Sequence, residues 1–174
     1  MTTYVVLLRG INVGNRRIPM PELKALAAEL GHQQVSTYIA SGNLILNSDR
    51  RPDTVADELD QAIADRYGFA VDCVIRGLAE LTAVIGSNPY PNGDPKQVTV
   101  GFTRKPISGA AADRIAALAA PDERYRIDQR EIFIDFVGGL ARSKLAAQLA
   151  KAIGQPTTAR NIRTVEKLAE LAAG

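Results

Sequence analysis

The chain has 174 residues and a formal net charge of +2, with 46% hydrophobic and 23% charged residues. This balance is that of a folded globular protein and excludes a disordered chain. No apolar run approaches the ~20 residues of a bilayer-spanning helix, and a net charge this small does not by itself indicate nucleic-acid binding.

The first half of the chain predicts the element order βαββαβ. The apolar residues 4–8 indicate a buried strand, the Gly-rich residues 10–17 a loop, and residues 21–30 a helix closed by Gly31. Residues 34–40 and 43–46 predict a hairpin around Ser41-Gly42. A helix that begins at Asp53 or Thr54, a strand over 69–75 and a short helix over 78–85 follow.

After residues 87–95, which are dense in Pro, Asn and Gly and indicate a linker, the pattern restarts. We predict a strand over 98–102, a helix over 110–119, a hairpin from 124–127 and 131–136, and helices over 143–153 and 161–172. The second half is therefore βαββα, followed by a helix where the first half has its last strand.

These elements predict an α+β protein of two ferredoxin-like βαββα-type lobes packed together, with an accessory C-terminal helix. The lobes are expected at residues 1–86 and 96–174. The strand at residues 5–8 is apolar on both faces, so either the other lobe or a second copy of the chain must cover its second face. The sequence does not indicate the oligomeric state.

Four motifs resemble the domain-of-unknown-function family 1697. They are LLRGINVG at residues 7–14, TYIASGN at 37–43, RSKL at 142–145 and TARN at 158–161, and the resemblance runs from Tyr4 to Leu171. Ile162 and Arg163 stand where the family commonly has Trp and Asn. The resemblance implies a small α+β protein, mostly bacterial, of unassigned activity; whether the chain is an enzyme stays open.

Basic residues near predicted helix starts indicate a site for a small anionic ligand, such as a nucleotide or a phosphorylated metabolite. They oppose the helix macrodipole unless an anion binds among them. We expect the Arg9 to Arg17 loop to form one site together with these helix starts, although it matches neither a Walker loop nor a dinucleotide fingerprint. The predicted ligand-binding residues are Arg9, Asn12, Arg16, Ser41, Asn43, Arg142, Ser143, Lys144, Arg160, Asn161 and Lys167. The alternative for the arginines is neutralisation by Asp and Glu partners.

The sequence gives little support to a catalytic cysteine, a catalytic histidine or a metal site. Cys73 lies on the apolar face of its strand and is expected as a core thiol, and His32 is expected on the solvated surface. One His and one Cys cannot form a His/Cys metal cluster, and we expect no metal or cofactor. A single cysteine and no basic leader segment favour the cytoplasm, without membrane association.

Two alternative functions stay open. Arg124 and Arg126 share a strand face beside the strand of Phe133, which is reminiscent of RNA-recognition sheets, so single-stranded nucleic-acid binding is one alternative. A protein-interaction module without a ligand is the other.

Overall fold

The computed structural model describes the whole chain, Met1–Gly174, as an α+β protein. None of its helices is both long and apolar enough to span a lipid bilayer. In chain order the elements are β1 (Thr2–Arg9), α1 (Met20–Glu29), β2 (Gln33–Thr37), β3 (Asn43–Ser48), α2 (Pro52–Tyr67), β4 (Asp72–Gly77), α3 (Leu78–Gly86), β5 (Val98–Phe102), α4 (Gly109–Leu118), β6 (Arg124–Asp128), β7 (Glu131–Asp135), α5 (Lys144–Ile153), β8 (Thr158–Asn161) and α6 (Ile162–Ala173).

The strands form two four-stranded antiparallel sheets with the orders β2-β3-β1-β4 and β6-β7-β5-β8. Each half of the chain therefore has the element order βαββαβα and the same strand order. Its first six elements are those of a ferredoxin-like unit. The predicted repetition of element order is thus confirmed, and it is more complete than the sequence indicates.

The additional element is β8. Its sequence, TARN, shows no apolar alternation, and we predicted a helix from Asn161 onward. The strand forms through backbone pairing with β5, where Phe102 is opposite Thr158 and Thr99 is opposite Asn161. Pairing with a neighbouring strand, which a local sequence window cannot reveal, decides this element.

The chain divides into two compact units. The first unit comprises Met1–Thr82 and Leu168–Gly174, and the second comprises Ala83–Lys167. The boundary lies within α3, whereas the sequence indicates a linker over residues 87–95. That segment belongs to the second unit, and it is ordered by its own turns: the Tyr90 N–H donates to Asn88 Oδ1, and the Val98 N–H donates to the Asp94 carbonyl, both at 2.9 Å.

The core of the first unit lies between one face of its sheet and helices α1 and α2. Val6 and Leu8 of β1 are fully buried there, together with Leu23 of α1 and Leu59 of α2. Val5 and Leu7, which point to the opposite face of β1, are also fully buried. Both faces of this strand are therefore inside the protein, as its continuous apolar run predicts.

The core of the second unit is built from β7, α4 and α5. Ile132 and Ile134 of β7 pack with Ile115 of α4 and with Leu145 and Leu149 of α5. The C-terminal end of α4 and the N-terminal end of α5 line a cavity within this unit, which is described below.

Candidate functional site

Two loops of the first unit, residues 10–17 and 38–42, are joined by hydrogen bonds. The Asn12 Nδ2 donates to the Ala40 carbonyl at 2.7 Å, and Asn12 Oδ1 accepts from the Ile18 N–H at 2.9 Å. The Leu8 N–H donates to the Gly42 carbonyl at 2.9 Å. Ser41 and Asn43 thus lie beside the loop that follows Arg9. Both polar ends of the Asn12 side chain are used to hold this arrangement.

Asn43 and Gly42 are also structural residues of this hairpin. The buried Asn43 donates through Nδ2 to the Tyr38 carbonyl at 2.8 Å and to Ser41 Oγ at 3.2 Å. Gly42 has φ +99°, and a Cβ there would lie 2.8 Å from Ile11 Cδ1. Only glycine satisfies both conditions, which accounts for the turn in TYIASGN.

Arg16 is half-buried and makes two contacts within the first unit. Its guanidinium donates to the Ala70 carbonyl and lies over the Phe69 ring, 5.2 Å from the ring centroid. This contact ties the Gly-rich loop to the turn before β4. Arg9, by contrast, is exposed at the end of β1, opposite Asp72 in the β1–β4 register. Of the two arginines that the sequence indicates as ligands here, Arg9 is the more exposed.

The second unit contains a cavity of about 580 Å³. It is lined by residues 117–123, which run from the end of α4 towards β6, and by residues 138–139 and 142–144, which precede and begin α5. Three of the predicted ligand-binding residues, Arg142, Ser143 and Lys144, therefore line one cavity.

The loop between β7 and α5 has a shape that depends on glycine. Gly139 has φ +86° and ψ 153°, a conformation essentially limited to glycine, and its N–H donates to the Phe136 carbonyl at 2.8 Å. A 3₁₀ turn, Leu140–Arg142, follows directly. The tight turn and the 3₁₀ turn bring Arg142 to the cavity wall.

Ser143 fixes the start of α5. Its Oγ accepts from the Ala146 N–H at 3.0 Å, as an N-cap, and donates to the Glu123 carboxylate. The other Glu123 carboxylate oxygen accepts from the Ala120 N–H at 2.8 Å. Both oxygens of Glu123 and the hydroxyl of Ser143 are thus occupied within the wall, so Ser143 is a framework residue of the cavity.

Arg142 and Lys144 are the two cations of the cavity, and both are exposed. Neither forms an ion pair. Asp122, which is also exposed, and Glu123 are the acidic lining residues. Because Glu123 is fixed by two hydrogen bonds, the side chains available to a ligand are Arg142, Lys144 and Asp122.

The remaining predicted residues of the second unit lie elsewhere. Arg160 and Asn161 belong to β8, the edge strand opposite β6, so roughly 14 Å of sheet separates their strand from the one that follows Glu123. Asn161 Oδ1 accepts from the Thr164 N–H at 2.9 Å and caps α6, the helix that carries Lys167. Burial lowers the pKa of the Arg160 guanidinium to about 10, which leaves it protonated at neutral pH.

His32 is buried, so the expectation that it is a solvated surface residue is wrong. Neither ring nitrogen has a hydrogen-bond partner, and Nε2 lies 3.8 Å from Glu58 Oε2. Burial is the largest cause that lowers its pKa; Arg50 lowers it further, and Glu58 partly opposes the shift. Cys73 is a buried thiol, as predicted. No group of three or more His, Cys, Asp or Glu side chains is arranged to hold a metal ion.

The arginines of β6 lack an accessible aromatic partner on β7. Phe133, opposite Arg126 in the register, is buried and cannot stack on a base. Arg124 pairs with Asp135 at 2.5 Å and lies over the Tyr90 ring, 4.6 Å from its centroid.

Several cavity residues were missed by sequence reasoning. The sequence of residues 117–121 is typical of the end of an ordinary amphipathic helix. Glu123 has no feature that distinguishes it from a solvent-exposed acidic residue. The dipeptide Gly138-Gly139 is the signal that could have indicated a tight turn there. No local pattern shows that this turn meets the end of α4.

The fold and the cavity define a duplicated α+β protein whose second unit has a cavity lined by two cations and two acidic residues. The family model described as "Protein of unknown function (DUF1697)" matches residues 1–133, and the chain belongs to this family. The match includes the motifs at residues 7–14 and 37–43 and ends before Gly138. A solved structure of a conserved bacterial protein from Streptococcus pneumoniae is similar over 100% of this chain and 99% of that one, with 25% identity and a TM-score of 0.78. No protein of curated function matches the chain in sequence.

Proposed function

We propose that the protein binds a small anionic ligand in the cavity of the second unit. The observation that carries the proposal is the pair Arg142 and Lys144, which line a 580 Å³ cavity and form no ion pair. Cavities of ~300–1,000 Å³ are typical of small-molecule sites. Two cations beside one helix start repel each other and oppose its macrodipole, and a bound anion relieves both effects.

The acidic lining residues define where the anionic group binds. Asp122 would repel it, and Glu123 is already bonded to Ser143 and Ala120. The anionic group therefore lies on the side of the cavity formed by Arg142 and Lys144. Replacing Asp122 with Asn should strengthen binding, because it removes a negative charge without adding bulk.

The test is isothermal titration with inorganic phosphate and pyrophosphate on the parent and on Arg142→Gln/Lys144→Gln. The double variant should lose binding. The matched control is Arg126→Gln/Lys151→Gln, which removes the same charge from exposed positions of the same unit outside the cavity lining. Control binding should be close to that of the parent.

Thermal unfolding gives a second readout. A ligand at a hundredfold excess over its Kd stabilises by about 2.7 kcal/mol. Phosphate also strengthens apolar burial in every variant, so the difference between the two double variants is the decisive quantity. Equal responses in both would contradict the proposal. A steeply salt-dependent affinity for an oligothymidylate in the parent would instead support single-stranded nucleic-acid binding.

A further inference from the structure

The cavity is larger than an inorganic anion requires, and most of its wall at residues 117–123 is apolar. Residues 117–121 of this wall are Ala, Leu, Ala, Ala and Pro, and Ala117, Ala120 and Pro121 are exposed. A phosphate ion occupies only a small part of 580 Å³, since a water molecule takes ~30 Å³ of liquid. A ligand that fills the cavity therefore contacts this apolar wall as well as the two cations.

The loop between β7 and α5 also exposes apolar side chains. Leu140 is 46% exposed within the 3₁₀ turn, between the lining residues Gly139 and Arg142, and Val137 is 54% exposed just before the loop glycines. Large aliphatic side chains next to a cavity contribute to binding when a ligand covers them. The two cations and the apolar residues 117–121 thus line one cavity, and Leu140 adjoins the lining residues in the chain.

From this arrangement we infer that the ligand is an amphiphilic anion, with a carboxylate or phosphate head at Arg142 and Lys144 and a short apolar body against residues 117–121. This inference rests on the proposed function and adds the chemical class of the ligand. Each methylene that leaves water on binding should increase affinity about fourfold, so affinity should rise with the length of the apolar body.

The experiment is calorimetric titration of the full chain with inorganic phosphate, butyl phosphate and octyl phosphate, each below its micelle-forming concentration. We expect octyl phosphate to bind at least tenfold more tightly than butyl phosphate. Ala117→Asn should reduce this ratio severalfold, because it places an amide in the apolar wall. The matched control is Ala116→Asn, an exposed neighbour on the same helix outside the cavity lining, which should leave the ratio unchanged.

The outcomes separate this inference from the proposed function. Equal affinity for phosphate and both alkyl phosphates would contradict the inference of an apolar body on the ligand, while leaving the proposed anion site intact. A ratio that is the same in Ala117→Asn as in the parent would also overturn it, because the alkyl chain would then lie elsewhere. Absence of binding for all three probes would overturn the proposed function itself. Affinity that rises from inorganic phosphate to octyl phosphate, with binding of every probe abolished by Arg142→Gln/Lys144→Gln, would support both.

Discussion

The two units have the same element order and strand order, yet they use polar loop residues in opposite ways. In the first unit, Asn12, Asn43 and Arg16 direct their side chains to backbone carbonyls and fix the loops of that unit. In the second unit, Arg142 and Lys144 lie at a cavity without ion-pair partners. Motif residues of similar chemistry are therefore structural in one copy of the fold and available to a ligand in the other.

The helix starts show the same contrast. Helices α1 and α2 begin with proline in the first turn and have no side-chain cap, whereas Ser108 and Ser143 cap α4 and α5. A serine cap satisfies the first N–H groups of a helix from within the protein. The α5 start is thus already capped and adjoins the Glu123 carboxylate, so its ligand contacts must come from Arg142 and Lys144 rather than from the helix end.

The largest loss of stability is expected at a core residue next to the joined loops of the first unit. Leu8 is fully buried on the central strand β1, so Leu8→Ala should cost about 2–5 kcal/mol in the free energy of unfolding. Urea denaturation measures this loss, with Val13→Ala, an exposed position of the adjoining loop, as the control. A loss below about 1 kcal/mol would mean that β1 is not a buried central strand.

The next largest loss of stability is expected at Asn12, and it tests whether this residue of the motif at residues 7–14 has a structural role. Asn12→Ala removes the partners of the Ala40 carbonyl and the Ile18 N–H and should cost about 1–3 kcal/mol. Asn12 has φ +57°, so Asn12→Gly separates the lost hydrogen bonds from the backbone strain that alanine adds. Asn15→Ala, at an exposed position of the same loop, is the control. If Asn12→Ala unfolds at the same urea concentration as this control, the side chain is not structural.

The sequence predicts the fold better than it predicts the site, for a physical reason. The continuous apolar run of β1 and the turn residues Ser41-Gly42 are local signals, and both elements form where expected. The predicted alternation through Ile39 fails: β2 ends at Thr37, and Ile39 has φ +50° in a loop closed by the Tyr38 N–H to Asn43 carbonyl bond.

The cavity depends on contacts between distant segments. Its walls meet through the hydrogen bond from Ser143 to Glu123, twenty residues apart, and neither residue carries a local mark of it. Arg16 and Arg142 illustrate the same limit. Both are arginines before a helix, and only the tertiary contacts of Arg16 with Ala70 and Phe69 distinguish them.

A smaller effect concerns His32, which belongs to the first unit and has no counterpart among the residues of the second. Its folded-state pKa is lowered from 6.5, so below about pH 6.5 the unfolded chain binds a proton that the folded chain does not. Stability should therefore fall as the pH falls below 6.5 and be unaffected by this group above it. The slope is at most about 1.4 kcal/mol per pH unit.

Proton NMR can follow this group directly, since His32 is the single histidine of the chain. Its titration midpoint should lie below 6.5, and His32→Leu should show a smaller loss of stability between pH 6.5 and 5 than the parent. A midpoint at or above 6.5 would show that the ring is solvated or paired with Glu58 as an imidazolium.

The smallest effect distinguishes the basic residues of the two units most directly. Lys144 is the first residue of α5 and opposes its macrodipole, so Lys144→Gln should leave ligand-free stability unchanged or raise it by about 0.3–1 kcal/mol. Arg16→Gln removes the bond to the Ala70 carbonyl and the contact with Phe69, and should lower stability by about 0.5–1.5 kcal/mol. The two substitutions are chemically similar, so opposite signs in urea denaturation without phosphate would show that the first unit uses its basic motif residue for folding and the second does not. If Lys144→Gln is as destabilising as Arg16→Gln, Lys144 contributes to folding, and the repulsion that a bound anion is proposed to relieve is absent.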